Sequence, residues 1–129
     1  MNYQLSICIP TYNRARHLLF TLENIYSNIT SDVEVVVYDG ASTDHTEQIL
    51  QEWGLRHSNF TYHIAENNGG VDKDIEHVVS LARADYCWLM SSDDYITSDS
   101  IFEILKITKK HSPNVLLFDR TNCNKNMQV

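Results

Sequence analysis

Apolar and polar positions along the 129 residues alternate between two periods. Leu5-Ser6-Ile7-Cys8-Ile9 is a short apolar run closed by Pro10 and predicts a strand. Ala15, Leu18, Leu19, Leu22, Ile25 and Ile29 recur at spacings of three and four, predicting a helix over about residues 14–28 with one apolar face. Val33 to Tyr38 is mostly apolar and β-branched, the pattern of a buried strand. A turn follows at Asp39-Gly40-Ala41-Ser42. Asp44-His45-Thr46-Glu47 then has a capping-box pattern, with Ile49, Leu50 and Trp53 at helical spacing and Gly54 as the expected stop. Phe60 to Ile64 alternates like a strand, and Asn67-Asn68-Gly69-Gly70 is a loop signal. Val71, Ile75, Val78, Val79 and Ala82 define another amphipathic helix. Tyr86 to Met90 predicts a strand that runs into Ser91-Ser92-Asp93-Asp94. Ser100 to Glu103 opens a last helix with its own capping box, Val115 to Phe118 predicts a final strand, and the polar tail is expected to fray.

This β-α-β-α-β-α-β-α-β order predicts an α/β fold: a mostly parallel sheet, helices on both faces and right-handed crossovers. Ligands in such sheets bind outside the carboxyl ends of the strands. The fold expectation therefore selects four segments as the site: Pro10-Thr11-Tyr12-Asn13, Asp39-Gly40-Ala41-Ser42, Asn67-Asn68-Gly69-Gly70 and Ser91-Ser92-Asp93-Asp94.

Composition narrows the classes. The length suits one domain, and folding it should bury roughly two-thirds of its accessible surface. Seventeen acidic and ten basic residues leave a net charge of −7 and a pI near 5.2, which argues against nucleic acid as a partner. No apolar run approaches the roughly 18–20 residues of a membrane span. The start has no basic patch before an apolar stretch, so no signal peptide is expected. Cys8, Cys87 and Cys123 show no metal spacing. Cys8 and Cys87 sit in apolar runs and are expected to be buried, and the set fits a reducing, cytoplasmic compartment. The six scattered histidines read as surface or packing residues.

Asp93-Asp94 is the sharpest chemical feature. Two adjacent carboxylates at the end of a buried strand repel each other and lose solvation, costs that a divalent cation offsets. Hard oxygen ligands suit Mg²⁺ or Mn²⁺, which bind substrate phosphates through one or two protein carboxylates. An exposed turn capped by Asp is the competing reading. Asp39 could accept hydrogen bonds from a nucleobase or ribose, or could simply form the turn before Gly40. Ser42 and Asp44 read most simply as N-terminal helix residues. Gly69-Gly70 lets backbone approach a ligand closely at a helix N-terminus, where anions are favoured, although neither a dinucleotide fingerprint nor a Walker A loop is present. Lys73 could reach a phosphate or pair with Glu76. Tyr12 could stack on a base.

Together these segments make a recognisable set. Ile9-Pro10-Thr11-Tyr12-Asn13-Arg14 resembles the opening of family 2 glycosyltransferases, which have the GT-A fold. Asp39-Gly40-Ala41-Ser42-Thr43-Asp44 resembles their second motif, D-[DN]-[GA]-S-x-D, and Asn67-Asn68-Gly69-Gly70 resembles their third. Leu89 to Tyr95 sits where they carry the D-x-D metal motif. The wording around Tyr86-Cys87-Trp88-Leu89 looks like the branch that makes bacterial surface polysaccharides. Two positions depart from the pattern: Gly40 replaces the second acid of the second motif, and Ser92 replaces the first acid of D-x-D.

The resemblance implies transfer of a sugar from a nucleotide-diphosphate donor to a hydroxyl of a saccharide or lipid-linked acceptor. It assigns Pro10, Thr11, Tyr12, Asn13, Asp39, Gly70, Lys73 and Asp93 to the nucleotide, and Asp93 and Asp94 to Mn²⁺ or Mg²⁺. It also implies a cytoplasmic protein, at most peripheral at the inner face of the membrane. Family members usually run well past 200 residues, and their second half supplies the acceptor site and general base. Residues 1–120 are therefore expected to form the nucleotide-sugar-binding half, with 121–129 a polar tail. The surface facing the other half should be apolar and exposed, favouring self-association. No catalytic base is identified. Two further classes stay open: a module that binds a nucleotide without catalysis, and a nucleotidyltransferase-like phosphate enzyme.

Overall fold

A computed structural model describes residues 2–124, 126 and 128. The elements run β1 (Leu5–Thr11), α1 (Ala15–Tyr26), β2 (Val33–Asp39), α2 (Thr46–Arg56), β3 (Phe60–Ile64), α3 (Val71–Ser80), β4 (Tyr86–Leu89) and α4 (Ser100–His111). All strand pairs are parallel, in the order β3-β2-β1-β4. The chain moves outward from β1 through β2 to β3, then returns to the other side of β1. Right-handed crossovers convert that reversal into helices on opposite faces.

Side-chain alternation along each strand sorts the core into two layers. Leu5, Ile7 and Ile9 of β1 and Val33, Val35 and Val37 of β2 join Leu18, Leu22, Ile25, Leu50, Trp53, Ile101 and Leu105 from α1, α2 and α4. On the other face Cys8, Val36 and Tyr38 pack with Val78 of α3. Each fully buried Leu or Ile contributes about 1.5–3 kcal/mol relative to exposure. His63 and His77 stack on the two sides of Tyr38, at ring-centroid distances of 5.4 and 5.0 Å. Histidine acts here as packing, as expected.

Glu34 is the polar exception, fully buried in the middle of the sheet. Its carboxylate accepts from Ser6 Oγ at 2.6 Å, from the Arg83 backbone N–H at 2.7 Å, and from Arg83 Nε at 2.9 Å. Arg83 Nη2 stands 2.7 Å from the same carboxylate. A buried charge is tolerated when paired and hydrogen-bonded in this way.

Several expectations need correction. No fifth strand forms: residues 113–120 have no regular structure. Val115 and Leu117 are exposed, while Phe118 packs edge-on against Trp88 with centroids 5.2 Å apart. Side-chain contact satisfies part of this apolar run, but a strand also needs a backbone ladder, and none is offered. Gly54 does not stop α2, which continues to Arg56. A Cβ at Gly54 would sit 3.0 Å from the Tyr62 ring, so close packing of α2 on β3 explains this glycine. Neither capping box closes. Asp44 Oδ1 accepts the Thr46 N–H at 3.0 Å, but Glu47 bonds Gln51 instead of reaching back. Thr97, rather than Glu103, engages Asp99 and Ser100 at the start of α4. Cys87 is exposed because it lies on edge strand β4, on a face that α3 covers chiefly over β1 and β2; Cys8 is buried, and the two Sγ atoms are 3.0 Å apart. The expected frayed tail falls partly on residues 125, 127 and 129, outside the described residues.

Candidate functional site

The strand register brings the predicted segments together. Thr11, the last residue of β1, pairs with Asp39, the last of β2, which pairs with Ile64 of β3. On the other side β4 follows β1 only as far as the Cys8–Leu89 pair, extended by the Met90 N–H to Cys8 O bond of 2.9 Å. The chain then leaves the sheet as Ser91-Ser92-Asp93-Asp94. Strand order reverses between β1 and β4, the position where open α/β sheets form a ligand crevice.

Asp39 is buried, 1% exposed. Its carboxylate accepts the Ser42 N–H at 3.1 Å and the Ser42 hydroxyl. Burial pushes its pKa up; the Ser42 bonds oppose that shift, and Asp44 and Glu47 add to it. Asn13 has a left-handed φ of 51° and is spent on the loop after β2. Its N–H donates to Ser42 Oγ at 2.8 Å, and its Oδ1 accepts from the Thr43 N–H at 2.7 Å and the Asp44 N–H at 3.3 Å. Asp44 Oδ2 in turn accepts the Ala15 N–H at 3.1 Å. Asn13 and Asp44 thus lock the first two site loops to each other, leaving Asn13 Nδ2 without a partner among the described residues. Pro10 is half-buried just before the strand end, and Tyr12 is 45% exposed with no aromatic neighbour among the described residues.

The third loop is anchored to the second. Asn68 Nδ2 donates to Gly40 O at 3.0 Å, and Asn68 Oδ1 accepts the Gly70 N–H at 3.0 Å. Gly70 has φ 93°, open to glycine and strained for any other residue, and a Cβ there would meet nothing within 4 Å. Open space thus lies over the N-terminus of α3. Lys73 is exposed and folds its stem over Gly69, with Cδ 3.3 Å from where a Cβ would stand; it forms no pair with Glu76.

The fourth loop is held from below by α1. Thr21 Oγ1 donates to Ser92 O at 3.0 Å and to Asp94 O at 2.9 Å. The Asn24 carboxamide brackets Ile96, donating to its carbonyl at 3.1 Å and accepting its N–H at 2.8 Å. Asp93 and Asp94 are exposed, so the desolvation expected at this strand end is absent. Asp93 accepts from Ser91 Oγ at 2.5 Å and meets Arg14 at 3.4 Å; Asp94 Oδ2 accepts the Ser91 N–H at 3.0 Å. Asp94 Oδ1 is left unengaged. Among the described residues no group of three or more His, Cys, Asp or Glu side chains could hold a metal. The donor set fits a hard cation that takes its remaining ligands from a phosphate and water.

Sequence reading missed Asp74 and Arg14. Asp74 is 4% exposed on α3 and faces Gly40. Its position in the helical repeat, one turn after Gly70, was the available signal. Two hollows of about 350 and 300 Å³ lie at the opposite, amino ends of the strands, beside Gln4 and Asp85 and beside Tyr3 and Asn59, and contain no predicted site residue.

The family model described as glycosyl transferase family 2 matches residues 6–128. The chain belongs to that family. Abequosyltransferase RfbV of Salmonella typhimurium is 38% identical over 125 residues, covering 92% of this chain and 37% of RfbV. Chondroitin synthase of Escherichia coli is 32% identical over 97 residues, covering 75% of this chain and 14% of that protein. The crystal structure of Staphylococcus aureus TarS residues 1–349 in complex with UDP-GlcNAc superposes with a TM-score of 0.77 at 27% identity, covering 84% of this chain and 32% of that fragment. Mannosyltransferase PcManGT of Pyrobaculum calidifontis, solved with GDP-Man and Mn²⁺, gives 0.74 at 23% identity over 86% of this chain and 34% of its own, a likeness of fold. This family 2 chain spans about a third of the length of RfbV and about a fifth of that of TarS.

Proposed function

We propose that this chain is the donor-binding part of a glycosyltransferase that uses a nucleoside diphosphate sugar, in bacterial polysaccharide synthesis. One observation carries the reading: Thr11, Asp39, Gly70 and Asp93-Asp94 converge at the carboxyl ends of one parallel sheet, around the point where strand order reverses. Relatives are named for glycosyl transfer, and a structural neighbour was solved with UDP-GlcNAc.

In this reading the base lies between Tyr12 and Asp39, beside Pro10 and Thr11. Asp39 accepts a hydrogen bond from the base. The open space at Gly70 and the N-terminus of α3 receive the diphosphate, where backbone N–H groups and the helix dipole favour an anion. Lys73, free of any ion pair, supplies a mobile positive charge. Asn13 acts indirectly, fixing the loop that carries Ser42 against Asp39. Asp93 and Asp94 would hold Mn²⁺ or Mg²⁺, which supplies charge neutralisation to a departing diphosphate. The acceptor, a saccharide or lipid-linked hydroxyl, attacks the anomeric carbon; no residue of this chain is assigned as its general base. No helix among the described residues is long and apolar enough to cross a membrane, and we place the protein in the cytoplasm or at the inner membrane face. Exposed Leu89, Val115 and Leu117 beside β4 mark a face for the acceptor-binding half or a second copy.

Calorimetric titration with UDP, GDP, CDP and dTDP, with and without Mn²⁺, tests the reading. Saturable binding of at least one nucleotide, tightened by Mn²⁺, is the expected result; no binding by any of the four overturns it.

A further inference from the structure

We propose that Asp74 is a second carboxylate of the base-binding wall, delivered from α3 into the place a side chain at position 40 would occupy. The proposal rests on the nucleotide-binding reading above. The second motif of the chain has glycine where the family pattern carries a second acid. The structure supplies a reason for that glycine. A Cβ built on Gly40 would stand 2.5 Å from Asp74 Oδ2 and 3.4 Å from Asp74 Cγ. Gly40 does not have the left-handed φ of Gly70, so its backbone would accept a side chain. What stands in the place of one is the carboxylate of Asp74, which would have to turn away to admit it.

The Gly40 backbone is held on both sides. The Gly40 N–H donates to Thr11 O at 2.9 Å, and Gly40 O accepts from Asn68 Nδ2 at 3.0 Å. Asp74 is 4% exposed, and among the described residues no hydrogen bond reaches its carboxylate. Asp39 has both oxygens engaged by Ser42. Asp74 therefore adds acceptor capacity beside that remaining on Asp39. The Thr11 hydroxyl, at the strand end paired with Asp39, is a buried polar group without a partner among the described residues. Buried polar groups are almost always hydrogen-bonded, so the unpaired Thr11 hydroxyl at the end of β1, beside an Asp74 carboxylate in the first turn of α3 that no hydrogen bond engages, points to a ligand that completes them. Burial raises the pKa of Asp74, His77 one turn on opposes that, and Asp39 adds to it. A base presenting N–H donors to this wall satisfies the carboxylate at no cost to the fold.

The test uses the 129-residue chain, titrated with UDP, CDP, GDP and dTDP in the presence of Mn²⁺. The variants are Asp39→Ala, Asp74→Ala, Asp74→Asn and the double variant Gly40→Asp/Asp74→Ala, each also followed by thermal unfolding. Asp74→Ala and Asp74→Asn should weaken the preferred nucleotide about tenfold or more, without lowering the unfolding midpoint. The double variant, which returns a carboxylate from position 40, should recover most of the lost affinity. Asp74 variants that bind like wild type while Asp39→Ala binds weakly overturn this proposal alone. A lowered midpoint with no recovery in the double variant makes Asp74 a packing residue and also overturns it. A wild-type chain that binds none of the nucleotides removes this proposal and the functional reading together.

Discussion

Arg14 and Asp93 meet across the gap where strand order reverses, with Nη1 3.4 Å from Oδ2. One residue follows β1 and the other follows β4, so the pair ties together the two loops that flank the crevice. Both side chains are about half exposed, at 51% and 44%, so water screens the attraction. Arg14→Ala is expected to change unfolding free energy by less than about 1 kcal/mol in urea titration. A larger loss would show that the pair braces the fold itself.

Asp39 links nucleotide binding to pH. Replacing it with alanine should weaken nucleotide binding by about 1–3 kcal/mol, the scale of a charge-assisted hydrogen bond. Burial raises its pKa above the ordinary 3.8. The fold therefore holds this proton more tightly than the unfolded chain does. Its stabilising contribution is complete below about 3.8 and is lost as pH rises through the raised value. Acidification across that window should favour the fold through Asp39 while removing the ionised acceptor for the base. Calorimetry of binding and thermal unfolding over the same pH series should show these opposite trends, and Asp39→Asn should flatten the Asp39-linked part of both.

Asp94 is the expected anchor of the metal, since the residue is exposed and Oδ1 has no partner among the described residues while Oδ2 accepts the Ser91 N–H. Mn²⁺ should bind weakly to the chain alone and more tightly with a nucleoside diphosphate, because protein ligands are few. Asp94→Asn keeps an oxygen for Ser91 and should abolish the tightening of nucleotide binding by Mn²⁺. Undiminished tightening in that variant would reduce Asp94 to a turn residue.

Arg83 neutralises a carboxylate with no solvent exposure. Arg83→Ala removes both guanidinium contacts and leaves Glu34 with Ser6 Oγ and one backbone N–H. Breaking one side of a fully buried ion pair costs about 3–5 kcal/mol, and because Arg83 is 55% exposed the cost here is expected at or below the lower end of that range. Denaturant unfolding should show a loss of that order, and Glu34→Gln in the Arg83→Ala background should recover part of it.

Residues 1–129 alone are expected to bind donor nucleotide and transfer no sugar above background. General-base assistance is typically worth about 10²–10⁴-fold, and the base must reach the attacking hydroxyl. Asp99 and Glu103 belong to the start of α4, and Asp119 lies in an irregular segment. The chain spans 37% of RfbV, so in-line positioning of an acceptor is also expected from elsewhere. Product formation by the purified chain, followed by release of nucleoside diphosphate, would identify a base among these residues.

The order of elements was legible in the sequence because each strand and helix is encoded by local periodicity. Apolar runs followed by Pro10, Asp39 and Ser91 marked the ends of β1, β2 and β4 closely, although β1 runs through Pro10 to Thr11, and parallel alternation placed those ends on one side of a sheet. Asp39, Tyr12, Gly70 and Asp93-Asp94 followed from that rule. What remained depended on contacts between segments distant in sequence. Val115 to Phe118 is apolar enough for a strand, yet whether a ladder forms depends on a partner edge. Gly54 has the composition of a helix stop, yet Tyr62 of β3 explains it. The bonds from the Thr43 and Asp44 N–H groups to Asn13 Oδ1 likewise join loops about thirty residues apart. Asp74 is thirty-four residues from Gly40, and only the packing of α3 on β1 and β2 sets its carboxylate against that glycine. Local sequence determines backbone period; burial, pairing and the direction of a carboxylate are properties of the assembled fold.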